Sequence, residues 1–185
     1  MSATARKFAT YEDLFDLPEN LVGEIIHGQL ITHPRPAPKH AVASSAIGDE
    51  LVGPFQKGRG GPGGWWILDE PELHLGPHIL VPDLAGWRRE RLPTMPDTAF
   101  FTLPPDWVCE VLSPGTARTD RADKMPIYAA QGMPFLWLID PAPRTLEVFV
   151  LREGRWSLEH VYQQDDEVRA VPFEAIAFPL ADLWS

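Results

Sequence analysis

Two carboxylates and a lysine are spaced so that they could together cut a phosphodiester bond. Asp83 ends the triplet Val81-Pro82-Asp83, and Glu110 follows 27 positions later (83 to 110) inside a strand-like run. If both apolar, β-branched segments lie side by side in one sheet, the two carboxylates can converge. Neither a histidine nor a second cysteine adjoins the pair, so it suits a hard divalent cation with oxygen ligands, Mg²⁺ before Zn²⁺. Lys124, at the start of the next helix-like segment, completes the order Asp, Glu, Lys.

A purely structural role explains Asp83 more easily than it explains Glu110. Asp83 after Pro82 could simply cap a turn. Glu110 is harder to explain in that way, because it is the one charged residue in the apolar run from Trp107 to Leu112. A carboxylate in such a place needs a partner or a metal ion. Val111 points to the other face of the strand but offers its main-chain carbonyl as a further oxygen ligand.

Lys124 and Glu24 each allow two interpretations. Asp120 precedes Lys124 by four residues, which favours a helical ion pair of about 0.2–0.5 kcal/mol. Alternatively, Arg121, Lys124 and Tyr128 share one helical face, and the ammonium group reaches a substrate phosphate or an attacking water. Glu24 is either an outward-facing strand residue or a further acid of the site.

The composition narrows the class of protein. At 185 residues, one domain spanning residues 1–185 is the simplest organisation. No apolar stretch approaches the length of a membrane span, and residues 1–7 lead into no secretory signal, which favours a cytoplasmic protein. Cys109 is the only cysteine; it excludes an intramolecular disulfide and is expected to be a buried packing residue.

The charge distribution bears on nucleic-acid binding. A net charge of −10 argues against simple non-specific binding, which needs a basic surface. Arg88, however, follows the Asp83 strand, and Arg118 and Arg121 follow the Glu110 strand. These arginines predict a local basic rim that would hold the nucleic-acid backbone.

The periodicity of apolar residues predicts strands and helices in alternation. A short helix near Thr10 should end before Pro18. The other predicted segments are a hairpin over 21–32, a helix over 39–57, strands over 65–68, 72–75, 79–87 and 106–112, a helix over 119–131, a strand over 135–139, a hairpin over 144–162 and a final turn over 180–184. This order predicts an α/β or α+β fold with a mixed central sheet flanked by helices.

Several motifs together resemble one family of proteins. The runs VPD, CEVLSP and TDRADKMPIYAAQGMPFLWLIDP, with TYEDLFDLP before them and PLADLW after them, resemble the PD-(D/E)XK nuclease-like superfamily, and more narrowly its Uma-type restriction endonucleases. The resemblance implies a restriction-endonuclease-like fold, a phosphodiesterase core that depends on Mg²⁺ or Mn²⁺, DNA as substrate and a homodimer.

The resemblance also implies roles for particular residues. Asp83 and Glu110 match the metal-binding acids, with the Val111 carbonyl as a third ligand, and Glu24 matches a further acid of the branch. The usual lysine position, two residues after the glutamate, is Leu112 here, and Lys124 fits a lysine relocated to the following helix.

Two other classes of function stay open at this level. The acidic charge and Leu112 favour a catalytically inactive nuclease fold that acts as a nucleic-acid- or protein-binding module. A small-molecule enzyme of a β-sandwich class is disfavoured, because the histidines are scattered along the chain.

Overall fold

The computed structural model describes residues 8–185, which form two β-sheets, a small strand pair and several helical segments. The strands are β1 (Leu21–Ile26), β2 (Gln29–Pro34), β3 (Trp65–Asp69), β4 (Leu73–Leu75), β5 (His78–Leu80), β6 (Leu84–Arg88), β7 (Trp107–Val111), β8 (Phe135–Asp140), β9 (Thr145–Arg152), β10 (Arg155–Gln163), β11 (Glu167–Val168) and β12 (Phe178–Pro179). The α-helices are α1 (Glu12–Phe15), α2 (Pro38–Leu51), α3 (Ala117–Thr119) and α4 (Met125–Ala130). A 3₁₀-helix spans Leu180–Trp184.

The central sheet has six strands in the order β10-β9-β8-β7-β6-β3. Strands β7 and β8 are parallel, and every other neighbouring pair in this sheet is antiparallel. A parallel pair needs a crossover connection, and the helical segment from α3 to α4 supplies it. The predicted mixed sheet with helices is therefore confirmed, and Glu110 lies on β7, one of its central strands.

The strand predicted over 79–87 is wrong as a single element. Residues His78–Leu80 form β5 in a separate four-stranded antiparallel sheet, and Leu84–Arg88 form β6 in the central sheet. Between them lies Pro82, which cannot donate a ladder hydrogen bond and breaks the strand. Asp83 consequently lies at the junction of the two sheets, just before β6.

The two long predicted helices are each interrupted by a wider, π-helical turn. The first is an α-helix only to Leu51, and the turn Val52–Gln56 then accommodates Pro54. The second consists of α3, the wide turn Asp120–Lys124 and α4, with Pro126 directly after the wide turn. In both places the i→i−4 ladder is opened where proline has no amide hydrogen to donate.

Each face of the central sheet has its own apolar core. Helix α2 packs Ala43, Ile47 and Leu51 on one face, against a cluster that includes Trp107 and Val111. The other face is covered by Ile127 and Tyr128 of α4, together with parts of the four-stranded sheet. Because side chains alternate along a strand, Glu110 projects from the α4 face and its neighbour Val111 from the α2 face.

Two further expectations can be compared with the structure. Cys109 is fully buried in the core, as predicted for a packing residue. Among residues 8–185, no helix is both long enough and apolar enough to cross a membrane. The interpretation of residues 1–7 lies outside the described part of the chain.

Candidate metal-dependent active site

A cavity of about 360 Å³ opens at the end of β7 where the two layers of the molecule meet. Its walls combine acidic and basic side chains from five separate stretches of the sequence. The titratable residues that line it are His33, Arg35, His40, Glu70, Asp83, Glu110, Asp120 and Lys124. This space is called the acidic cavity below. Asp83, Glu110 and Lys124, the two acids and the lysine on which the predicted site depends, all line it.

Asp83 is held in place by groups from both neighbouring elements. The main-chain N–H of Val111 donates to Oδ2 at 2.7 Å, and His40 Nε2 lies 3.1 Å from Oδ1. The main-chain carbonyl of Asp83 accepts a hydrogen bond from Glu70 at 3.0 Å. The carboxylate therefore has a fixed direction into the cavity, which a residue that only capped a turn would not require.

Glu110 reaches the same cavity from the α4 face. The hydroxyl group of Tyr128 donates to its Oε1 at 2.5 Å, and Lys124 Nζ donates to the same oxygen at 3.3 Å. Both partners are buried, as is Glu110 itself. Leu112, at the usual lysine position, is packed in the apolar core, so the ammonium group beside Glu110 comes from Lys124 instead.

Lys124 is the centre of a buried ion cluster. Its Nζ lies 2.9 Å from Glu24 Oε1, 3.3 Å from Glu110 Oε1 and 3.4 Å from Asp120 Oδ1. The helical ion pair with Asp120, one of the two alternatives that the sequence allowed, is present in the structure, and the same ammonium group also contacts Glu110. The wide turn Asp120–Lys124 places both side chains on the buried side of the helical segment.

Glu24 is a fully buried part of this cluster and not an outward-facing strand residue. Its Oε1 accepts a hydrogen bond from the Val81 N–H at 2.8 Å, and its Oε2 lies 2.9 Å from His33 Nε2. Glu24 thereby connects β1 to the Val81-Pro82-Asp83 segment. This link helps to fix the position of Asp83 relative to Lys124.

The carboxylates outnumber the cation that they surround, and their pKa values follow from that imbalance. Burial raises the pKa of Glu110 well above its ordinary value; Lys124 opposes the shift, but Asp120, Asp83 and Glu24 add to it. Burial likewise raises the pKa of Asp120. For Glu24, burial is outweighed by Lys124, His33 and Val81, so its pKa is lowered.

The pKa of Lys124 is also raised, but for a lysine this favours the charged form. Burial alone would lower its pKa, but Glu110, Glu24 and Asp120 raise it well above the ordinary value. The lysine is therefore a permanent cation and not a proton acceptor at neutral pH. Three carboxyl groups contact this one cation and Asp83 lies near them, so the carboxyl groups at the acidic cavity outnumber Lys124.

This excess is the feature that fits a divalent cation. The side-chain donors include several carboxylate oxygens, which Mg²⁺ and Mn²⁺ accept, and a bound cation would favour the ionised form of Glu110, whose pKa is raised by burial and then by the neighbouring carboxylates. Among residues 8–185, however, no three His, Cys, Asp or Glu side chains are already arranged to hold a metal ion. The side chains of Asp83 and Glu110 both line the cavity, and the Val111 N–H donates a hydrogen bond to Asp83.

The three predicted nucleic-acid-binding arginines lie in different environments. Arg88 lies at the end of β6 away from Asp83, with its guanidinium group 4.7 Å from the centre of the Trp65 ring. Arg121 forms a bidentate ion pair with Glu147 on β9, at 2.6 and 3.0 Å, and so does not share the buried side of Lys124. Arg118 is exposed on α3, next to the loop that lines the cavity.

The sequence assigned no role in the site to several residues that the structure brings there, among them His33 and Glu70. Arg35 lines the cavity from the exposed segment after β2, and Tyr128 was only noted as a helical neighbour of Lys124. In the sequence, the histidines are more typical of structural or surface positions than of metal ligands, and His40 is a partial exception because it falls on the apolar side of the predicted helix over 39–57. Its place two residues after Pro38, which begins the helix, was the available signal that this helix starts at a fixed point.

Comparison with known proteins assigns the class and then the family. The fold is shared with a protein from Anabaena variabilis ATCC 29413, whose crystal structure is described as "a putative nuclease belonging to DUF820". The TM-score is 0.75 at 25% sequence identity, with 95% of this chain and 97% of that chain covered. A family model described as "Uma2: Putative restriction endonuclease" matches residues 8–181, so the chain belongs to the Uma2 family. The comparison with curated proteins gave no match.

Proposed function

We propose that this protein is a metal-dependent endonuclease that hydrolyses phosphodiester bonds of nucleic acid, with DNA as the preferred substrate. The observation that carries the proposal is the presence of Asp83, Glu110 and Lys124 in one cavity, although 41 residues (83 to 124) separate the first from the last. Membership of the Uma2 family supports the same class of reaction. That residues 1–185 make up a single domain stays a prediction.

Each residue has a role that its environment supports. Asp83, Glu110 and the Val111 carbonyl would hold Mg²⁺ or Mn²⁺, whose Lewis acidity would polarise the phosphoryl group. Lys124, a permanent cation at the cavity wall, would stabilise negative charge that develops on phosphoryl oxygens. Glu24 would hold the Lys124 ammonium group in position through their 2.9 Å contact.

Replacing Asp83 with asparagine tests the proposal. An asparagine can keep both contacts, with its carbonyl toward the Val111 N–H and its amide toward His40, so folding is expected to survive. Its neutral amide is a much weaker ligand for a hard cation. We expect nicking of supercoiled plasmid in Mg²⁺ or Mn²⁺ to fall at least about 10³-fold, or about 4 kcal/mol of lost transition-state stabilisation.

The matched control is Asp165→Asn, which removes an exposed carboxylate outside the acidic cavity and should cleave like the wild type. Wild-type cleavage must also stop when EDTA is added. Equal nicking by the wild type and Asp83→Asn, or nicking that persists in EDTA, would rule out the proposed reaction.

The arginines around the cavity are expected to contribute unequally to nucleic-acid binding. Arg118→Ala and Arg35→Ala should each weaken binding of a duplex oligonucleotide and reduce the salt dependence of binding by about one phosphate contact. Arg88→Ala should have a smaller effect, because Arg88 lies at the other end of β6 and is stacked on Trp65. Fluorescence anisotropy at several salt concentrations measures both quantities. An Arg88→Ala effect equal to that of Arg118→Ala would contradict this placement of the substrate.

A catalytically inactive binding module is the second candidate function. The net charge of −10 favours it, and so does the lack, within residues 8–185, of three side chains already arranged around a metal position. Calorimetric titration with Mn²⁺ separates the two candidates. The endonuclease requires saturable binding that Asp83→Asn abolishes, whereas an inactive module has no need of a cation.

A homodimer is the assembly that we propose. Strand β10 is an edge of the central sheet, and Leu158 and Val161 on it are 52% and 43% exposed. A β-bulge between Leu158 and His160 brings these two apolar side chains to the same face of the strand. An exposed apolar edge of this kind is a surface on which a second copy could pair.

A further inference from the structure

His40 brings a nitrogen atom into a site that the sequence had predicted to consist of oxygen ligands. It lies in the first turn of α2, 43 residues (40 to 83) before Asp83, and its side chain is only 10% exposed. Helix α2 covers one face of the central sheet, and its first turn extends past the end of β7. His40 therefore reaches Asp83 from the layer opposite to the one that carries Lys124.

The His40 ring lies beside Asp83, one of the proposed cation ligands. Nε2 is 3.1 Å from Asp83 Oδ1, and the other oxygen of this carboxylate accepts a hydrogen bond from the Val111 N–H. His40, Asp83 and Glu110 all line the acidic cavity. The ring nitrogen and the carboxylate oxygen thus lie side by side at the wall of this cavity.

The distance between the ring and the carboxylate matches that of two ligands on one ion. Two donors that are each about 2.1 Å from a cation, at right angles to one another, lie about 3 Å apart. The observed separation of Nε2 and Oδ1 is 3.1 Å. A shared cation would fit between them without a large movement of either side chain.

The other ring nitrogen argues against a role in packing alone. Nδ1 is buried and has no hydrogen-bond partner among the described residues. A buried polar atom without a partner costs roughly 1–3 kcal/mol, which an apolar side chain at this position would avoid. We therefore attribute the presence of an imidazole at this position to the contact of its other nitrogen, Nε2, with Asp83.

We propose that His40 Nε2 is a ligand of the active-site cation, beside Asp83 and the Val111 carbonyl, and that it makes the site select a first-row transition ion such as Mn²⁺ over Mg²⁺. The inference rests on the proposed function, because it names the metal of that same site. Imidazole nitrogen is a good ligand for transition ions, whereas Mg²⁺ is bound almost entirely through oxygen. The sequence favoured Mg²⁺ over Zn²⁺ because no histidine adjoins the two acids in the chain, and the position of His40 in the structure changes that premise.

The test compares the affinities of Mn²⁺ and Mg²⁺ in the wild type and in His40→Gln. A glutamine amide can still donate to Asp83 Oδ1 but supplies no nitrogen ligand, so it separates coordination from mere positioning of the carboxylate. By calorimetry, we expect the Mn²⁺ affinity to fall about 10- to 100-fold in His40→Gln, with the Mg²⁺ affinity changed no more than about threefold. Pulsed electron paramagnetic resonance of bound Mn²⁺ should detect coupling to a nitrogen nucleus in the wild type and not in the variant. His160→Ala, which removes an exposed histidine on β10, is the matched control.

Each outcome decides the inference. A loss of the Mn²⁺ preference together with loss of the nitrogen coupling supports it. If both affinities fall by the same factor and the wild type shows no nitrogen coupling, His40 only positions Asp83, and the inference is overturned while the metal-dependent site stands. If the wild type binds neither ion, the inference and the metal dependence of the proposed function both fail.

Discussion

Glu110→Gln is expected to abolish metal-dependent cleavage and, at the same time, to raise the free energy of unfolding. The glutamine carbonyl can still accept hydrogen bonds from Tyr128 and Lys124, but the variant lacks the negative charge that would bind the cation. Cleavage should fall at least about 10³-fold. The gain in stability follows from the pKa of Glu110, which burial and the neighbouring carboxylates raise well above its ordinary value.

The sign of the stability effect depends on pH. A carboxyl group whose folded-state pKa is raised contributes its full stability below the unfolded-state pKa, and that contribution is lost as the pH rises toward the folded-state value. The wild type therefore loses stability from Glu110 as the pH rises, and Glu110→Gln does not. The difference in the free energy of unfolding, measured by urea denaturation in EDTA, should be larger near pH 8 than near pH 5.

A variant of the neighbouring acid, Glu24→Gln, tests whether the gain in stability is specific to Glu110 or follows from removing any negative charge. The pKa of Glu24 is lowered in the folded protein, so its ionised form stabilises the fold at neutral pH. Glu24→Gln should therefore destabilise the protein near pH 8, where Glu110→Gln stabilises it. A Glu110→Gln variant that is less stable than the wild type near pH 8 would contradict the charge imbalance described for the acidic cavity.

Lys124→Met should have the largest effect on stability, a loss of about 3–5 kcal/mol near neutral pH. Methionine is similar in length but removes the ammonium group that contacts Glu24, Glu110 and Asp120, which leaves these buried carboxylates without its compensation. Their pKa values should then all be raised in the folded state. The loss should consequently shrink as the pH falls and the carboxyl groups take up protons.

Lys39→Met is the matched control, since Lys39 is exposed on α2 and its replacement should change the stability little. Lys124→Met should also lose cleavage activity, measured at a temperature where the variant is shown to be folded by circular dichroism. A loss of stability below about 1 kcal/mol, or one that does not vary with pH, would mean that the Lys124 cluster is solvated and adds little to the fold.

The carboxylates that are proposed to bind the cation lower the stability of the protein when no cation is bound. A cavity that is to bind a divalent cation must hold more negative charge than its own lysine can neutralise. Until the cation binds, the burial of these carboxyl groups and their mutual repulsion are a cost to the folded state, and both raise the pKa values of Glu110 and Asp120. Replacing catalytic acids is therefore expected to stabilise the protein where the acid is repelled, and to destabilise it where the acid is paired.

Local sequence was sufficient to predict most of the elements that build the site. The strand around Glu110, the hairpin that begins with β1 and the end of the helical segment near residue 131 all follow from short-range patterns of apolar residues and turn residues. The mixed sheet followed from the order of those elements. These features are set by side-chain alternation and by backbone constraints at glycine and proline, which act over a few residues and can be read without the rest of the chain.

Only the tertiary structure decided which side chains meet. The division of residues 79–87 between two sheets, the burial of Glu24 against Lys124 and the approach of His40 to Asp83 each depend on packing between segments far apart in the sequence. The number of carboxylates around Lys124, and hence their pKa values, depends on the same packing. Contact between distant segments is set by how whole layers bury their apolar faces together, and no short window of residues contains that information.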